Sequence, residues 1–363
     1  VQIGRGCHPP PFEKSVRIRY NLYRRITLRT TLAIITIIVL FTITGYAQKV
    51  ATLSEIAKPV DILVDADQIY IVSGVQVYIY SAKDYSFKKV FGQRGEGPGE
   101  FKVVNNIGLQ LSPFHNDLMI TTSNKIHFYS KDGNEIKTIL YPSNVREVLR
   151  FSADNYLGKS FEEVEGNFAE AVNLYDSKFD KIKEIYWRVK PKAGDPRIYL
   201  FDLGKEMVFR RGKEHIYILN ENVFNIRVYN KGGEFSHSIK KDFPFVEITD
   251  KDKELLFNYY KFQVKNFERL KPLLVFPKYY PAIYDFTEID NKLYILTWKV
   301  VDKRRVILVL DLKGEILLKS LIPHRDPLRG DGIAPCTFFD NKLYQLYDNP
   351  EIEAWELLVY DVK

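Results

Sequence analysis

The sequence predicts an all-β fold, a six-bladed β-propeller closed by an N-terminal strand, and three observations predict it. A unit of three short strands recurs six times. Its spacing is close to the roughly 45–50 residues of a propeller blade. Turn-forming residues sit between the strands of each unit rather than at random. The composition agrees: of 363 residues 45% are hydrophobic and 14% aromatic, with 24 Tyr and 24 Phe against 2 Met. Aromatic and β-branched side chains pack well on a pleated surface and favour strands.

The chain opens on a basic leader. Seven basic residues and one acid lie in residues 1–47, which carry +6 of the total formal charge of +7. The rest is nearly neutral and has no global field to attract nucleic acid, so a polyanion partner is excluded on charge. No charged residue separates Arg29 from Lys49, and Gly45 and Ala47 flank a small-x-small site before Gln48. A basic n-region, an apolar run and such a site read as a secretory signal peptide, which predicts export to the periplasm or cell exterior. The alternative is an uncleaved anchor over residues 30–47, the one route to membrane attachment. Removal of residues 1–47 leaves Cys336 as the sole cysteine, so the body at 48–363 is expected to fold without a disulfide.

The six units occupy 67–91, 116–140, 154–186, 214–239, 291–322 and 341–363. Tyr80, Tyr129, Tyr175, Tyr229, Leu310 and Tyr360 mark the same register point, at spacings of 49, 46, 54, 81 and 50 residues. Asp132-Gly133, Gly232-Gly233 and Lys313-Gly314 supply the turn chemistry of hairpins. An ordinary β-sandwich is the alternative, but sandwiches do not usually repeat a three-strand unit six times. The sixth unit ends after its third strand, and Lys49–Ile56 is a strand candidate with no unit of its own. It is expected to supply the missing outer strand and remove an open edge.

The spacing of 81 residues marks an insertion at 249–281, between blades 4 and 5. Thr249 reads as an N-cap with Asp252 three residues on, Leu255, Leu256, Tyr259, Tyr260, Phe267 and Leu270 recur at helical spacing, and Pro272 ends the run. An amphipathic helix of about five turns is expected, followed by the aromatic stretch 276–284.

The most distinctive segment is Phe91–Phe101, FGQRGEGPGEF. It is not a phosphate cradle, because no Lys-Ser/Thr follows it and no helix starts behind it. With KPVDILVDADQIYIVS before it, this segment resembles the NHL-type six-bladed propellers. It is most similar to exported bacterial members that carry a G-x-G-P-G-E-[FY] element between blades. The resemblance implies fold, export and a general binding role. It implies no reaction, since propellers host lyases, hydrolases and binding modules alike.

Enzyme signatures are sparse. The histidines His8, His115, His127, His215, His237 and His324 form no HxH or HExxH pair, and no GxSxG elbow is present. Asp154-Asn155, Asp290-Asn291 and Asp340-Asn341 read as turns, and the acidic run Glu162, Glu163, Glu165 as a solvated loop. No set of inward-facing His, Asp or Glu at equivalent blade positions is evident. A binding or scaffolding module for a protein, small-molecule or glycan ligand is therefore favoured, as a monomer and without a cofactor. The alternative is a propeller lyase or hydrolase at the channel mouth, the one case in which a divalent metal would enter. In a four-stranded antiparallel blade, inter-blade connections leave on the face that carries the second-to-third turns. Binding residues are expected there: Arg94, Glu96, Arg197, His324, Arg325, Arg329 and Asp331 for polar groups, Tyr279 and Tyr280 for apolar ones.

Overall fold

The computed structural model describes residues 48–363 except 103–108, 115–116, 165–166, 190–197, 200–206, 220–222, 264–266, 324–327, 330–331 and 334. The leader and its cleavage site lie outside the described residues, as do Arg197, His324, Arg325 and Asp331.

Six four-stranded antiparallel sheets follow one another along the chain. Blade 1 is Pro59–Val64, Gln68–Ser73, Gln76–Ser81 and Phe87–Phe91; blade 2 is Gln110–Phe114, Asp117–Thr121, Lys125–Ser130 and Glu135–Leu140. Blade 3 is Val145–Arg150, Tyr156–Val164, Asn167–Tyr175 and Lys181–Val189; blade 4 is Val208–Arg211, His215–Leu219, Asn225–Asn230 and Phe235–Lys240. Blade 5 is Ile283–Ile289, Lys292–Val301, Arg304–Asp311 and Ile316–Pro323. Blade 6 takes Cys336–Phe339, Lys342–Asn349 and Ala354–Asp361 from the C-terminal end and Gln48–Leu53 as its outer strand. That strand runs antiparallel to the last one, with Leu53 opposite Trp355 and Gln48 opposite Val359. The expected closure is therefore present, and the indole of Trp355 adds a hydrogen bond from Nε1 to the Ala57 carbonyl at 2.9 Å.

The core is not one mass but a seam between each pair of neighbours. Leu118 and Ile120 pack on Ile79 between blades 1 and 2, and Leu357 and Leu346 pack on Ile62 and Ile71 between blades 6 and 1. A seam of the second kind exists only if the ring closes. All six register residues, Tyr80, Tyr129, Tyr175, Tyr229, Leu310 and Tyr360, are buried at these seams. First strands touch one another, blade 1 against blades 2 and 6, blade 2 against blade 3 and blade 4 against blade 5, so they form the wall of the central channel.

Local chemistry explains the turns. Gly133, Gly233 and Gly314 adopt φ of +71°, +72° and +93° at the third-to-fourth turns, where glycine carries no Cβ penalty. Asp290-Asn291 and Asp340-Asn341 both hold two successive positive φ values, the requirement of a tight type I′ hairpin. Asp154-Asn155 does not. Glu162 and Glu163 are not loop residues as expected: they lie in the second strand of blade 3, which with its partner runs nine residues. The pleat carries them to the extended tip of that hairpin.

The insert is helical as expected, over Asp250–Gln263 and again over Phe267–Leu270, with 264–266 between them outside the described residues. Thr249 caps Asp250–Gln263 through a reciprocal pair: its backbone N–H donates to Asp252 Oδ2 at 2.8 Å, and the Asp252 N–H donates to Thr249 Oγ1 at 3.3 Å. A 3₁₀ turn, Lys271–Leu273, follows Phe267–Leu270. Val246–Glu247 then pairs antiparallel with Tyr279–Tyr280, which seals the base of the insert.

Candidate functional site

Strand alternation makes one face of the ring different from the other. The chain crosses the disc four times in each blade, so connections between blades emerge beside the second-to-third hairpins. The Gly-rich connection, the insert and the connection between blades 5 and 6 therefore share a face. The helix Asp250–Gln263 lies against the two-residue strand Leu328–Arg329, which pairs with Gly332–Ile333. Ile198–Tyr199, from the connection between blades 3 and 4, runs parallel to Leu274–Val275 of the insert. The opposite face carries the tight turns at Gly133, Gly233 and Gly314.

The Gly-rich connection is organised around its own glutamate. Glu100 Oε2 accepts from the Gly97 N–H at 2.8 Å, and Oε1 accepts from Gln93 Nε2 at 2.9 Å. A Cβ at Gly95 would lie 1.9 Å from Glu100 Oε2, so a larger residue there would displace the Glu100 carboxylate from this arrangement. Phe101 is fully buried and meets His127 and Tyr129 edge-on at 5.0 and 6.0 Å. The element thus works as a knot that plugs the seam between blades 1 and 2. Its flanking charges stay outside: Glu96 is 66% exposed and paired with Lys102 at 2.5 Å, and Arg94 is exposed.

The insert hairpin separates the two tyrosines. Tyr280, expected as an apolar ligand contact, is a packing residue: its ring is 5% exposed and stacks on Trp298 at 4.2 Å. Tyr279 is half-buried and packs at 5.2 Å against Phe245, which is 56% exposed. The side chain of Arg329 lies outside the described residues.

What the sequence reading missed lies at the channel wall. The first strands of blades 1, 3 and 5 carry an acid at the same point: Asp61 in PVDI, Glu147 in VREV and Asp285 in IYDF. Each sits at a register irregularity near the start of its strand, toward the elaborated face. The residue that follows each, Ile62, Val148 or Phe286, is buried. This is a set of carboxylates at equivalent blade positions, which corrects the expectation that none exists. A lone acid between apolar residues looks like ordinary alternation. Only the repeat alignment of first strands would have exposed the pattern.

Two cations from neighbouring strands answer these acids. Arg210, on the first strand of blade 4, donates from Nη2 to Asp285 Oδ1 at 2.7 Å and from Nη1 to the Phe209 carbonyl at 3.0 Å. Lys159, on the second strand of blade 3, pairs with Glu147 and donates to the Met207 carbonyl at 3.3 Å. Glu147 holds φ at +52°, a conformation costly for its residue type and one that recurs where a side chain must be aimed. Asp61 behaves differently. Its Oδ2 accepts from the Leu111 N–H of blade 2 at 2.8 Å and its Oδ1 from the Ile62 N–H at 2.9 Å. Burial pushes its carboxyl up to about 6 against those two bonds and the attraction of Arg210, with Asp285 adding repulsion. The Arg210, Asp285 and Glu147 side chains keep 39%, 33% and 39% of their surface accessible. They line water rather than a sealed core. Among the described residues no three His, Cys, Asp or Glu side chains converge as a metal-binding set.

No protein-family model matches the chain, and no curated protein matches it. Solved structures do. A Bacteroides fragilis protein described as exported aligns with 88% of this chain and 95% of its own at 16% identity, with a TM-score of 0.53. A member of the DUF4221 family from Bacteroides vulgatus aligns with 88% of this chain and 96% of its own at 13% identity, with a TM-score of 0.49. Likeness at this identity concerns the fold. No helix among the described residues is long and apolar enough to cross a membrane.

Proposed function

We propose that this protein is an exported binding module whose elaborated face, centred on the channel mouth, engages its ligand. The observation that carries the reading is the gathering of the described non-blade segments, the Gly-rich loop, the insert and Leu328–Arg329, on the face where Asp61, Glu147, Asp285 and Arg210 lie. Rigid scaffolds place recognition residues on such loops, and ligand sites are concave with a few convergent polar groups. The basic leader with its small-x-small site supports export, as does the description of the Bacteroides fragilis neighbour. The Gly-rich knot supports kinship with the exported NHL-type propellers. Arg94 and Glu96 on that loop, and Tyr279 with Phe245 on the insert, are the described contacts this face would offer.

The test is a shortened insert. Glu247 pairs with Tyr279, so joining them through an Asn-Gly turn keeps the hairpin and removes the helices. The parent should gain thermal stability from one class in a panel of neutral saccharides, amino acids and short peptides. The shortened protein should fold and lose that gain. A shortened protein that responds as fully as the parent, or a parent that responds to nothing, contradicts the reading.

A second reading, a lyase or hydrolase at the same mouth, is favoured by one observation: Asp61 is poised near the pH at which a carboxyl can both give and take a proton. Release of shorter products from the same saccharides, lost in Asp61→Asn, would establish it.

A further inference from the structure

We infer that the channel mouth recognises a neutral polyhydroxylated ligand, a saccharide, through Arg210, Asp285 and Glu147. The inference rests on the binding reading above and names the ligand class. Hydrogen-bonding capacity is left over on both sides of the Arg210–Asp285 pair. Arg210 Nε donates to no described residue, and Asp285 Oδ2 and Glu147 Oε2 accept from none. All three groups stay accessible while walled by first strands. A guanidinium edge beside carboxylate oxygens offers donors and acceptors together, which matches a sugar hydroxyl that must both accept and donate.

Charge separates this from other ligands. Asp285 is already answered by Arg210 and Glu147 by Lys159, and Asp61 is capped by two backbone N–H groups. An entering cation would meet Arg210, and an entering anion would meet Asp285 and Glu147, each at close range. Neither can take one partner without competing with the ion pair already formed there. A neutral ligand disturbs neither pair. On the same face, the exposed ring of Phe245 beside Tyr279 offers the flat apolar surface against which the C–H face of a pyranose packs.

Titration calorimetry tests this on the protein, with maltotriose, cellotriose, mannotriose and xylotriose as probes, amylose, mannan and xylan as polymer probes, and spermidine and citrate as charged probes. Arg210→Lys keeps the charge opposite Asp285 and removes the fork; Asp285→Asn keeps the shape and one acceptor. At least one neutral probe should bind, and each variant should weaken it about ten-fold or more while its melting temperature stays near the parent's. Should one variant fail to fold, the other carries the test. Binding of a trisaccharide supports the inference with a free sugar as ligand, and binding of a polymer alone supports it with a glycan chain. Saccharide binding that survives both variants but is lost in the shortened insert overturns the inference and leaves the binding face standing. So does binding of spermidine or citrate without any saccharide. Binding of none of the probes overturns the saccharide assignment.

Discussion

At the scale of single residues, the most specific sequence element proves to serve the fold. Glu100 closes the Gly-rich loop on itself, and Phe101 fills the seam behind it. Glu100→Ala leaves the Gly97 N–H and the exposed Gln93 amide without their acceptor and should cost about 0.5–1.5 kcal/mol in chemical denaturation. Arg94→Ala, on an exposed side chain of the same loop, should cost under about 0.5 kcal/mol. Asp61 carries a pH signature. Its folded carboxyl is raised to about 6 from an ordinary 3.8, so between about pH 4 and pH 6 the folded state holds a proton that the unfolded chain has released. Stability from this group is complete below pH 4 and falls as pH rises through 6, by up to about 3 kcal/mol. Unfolding free energies measured from pH 4 to pH 7 should show that decline, and Asp61→Asn should flatten it.

Elements were legible in proportion to how local their causes are. Thr249 with Asp252 announces a helix start because the cap closes within four residues. Gly133, Gly233 and Gly314 announce turns because only the backbone at that point decides. The outer strand of blade 6 was legible for a different reason: a blade short of one strand leaves an open edge, and the only unassigned strand lay at the other end of the body. Glu162 and Glu163 misled because acids suggest a loop, whereas an extended hairpin tip carries them as easily. The closing strand also makes a prediction. Leu53 is fully buried between blades 6 and 1. Leu53→Ala should cost about 2–5 kcal/mol, and removal of Gln48–Leu53 should expose the edge of Ala354–Asp361 and promote aggregation. A truncated chain that melts and sediments like the parent would show the ring closing without it.

At the scale of the molecule, the ring creates what no segment contains. Asp61, Glu147 and Asp285 are far apart in the chain and unremarkable one by one. They become a set because six seams close a circle and bring their first strands around one channel. The same topology sends the insert, the Gly-rich knot and the strand Leu328–Arg329 to the side on which those acids open. This is why the fold could be read from a repeat, while the candidate site could not be read from any motif. The most direct test of a one-sided binding protein is hydrogen–deuterium exchange, measured by mass spectrometry with and without a saturating concentration of the trisaccharide or polymer that binds in calorimetry. Slowed exchange is expected in the Gly-rich connection, the hairpin Val246–Glu247 with Tyr279–Tyr280, and the first strands carrying Asp61, Glu147 and Asp285. Slowed exchange confined to the turns at Gly133, Gly233 and Gly314, or no change on either face, would contradict it.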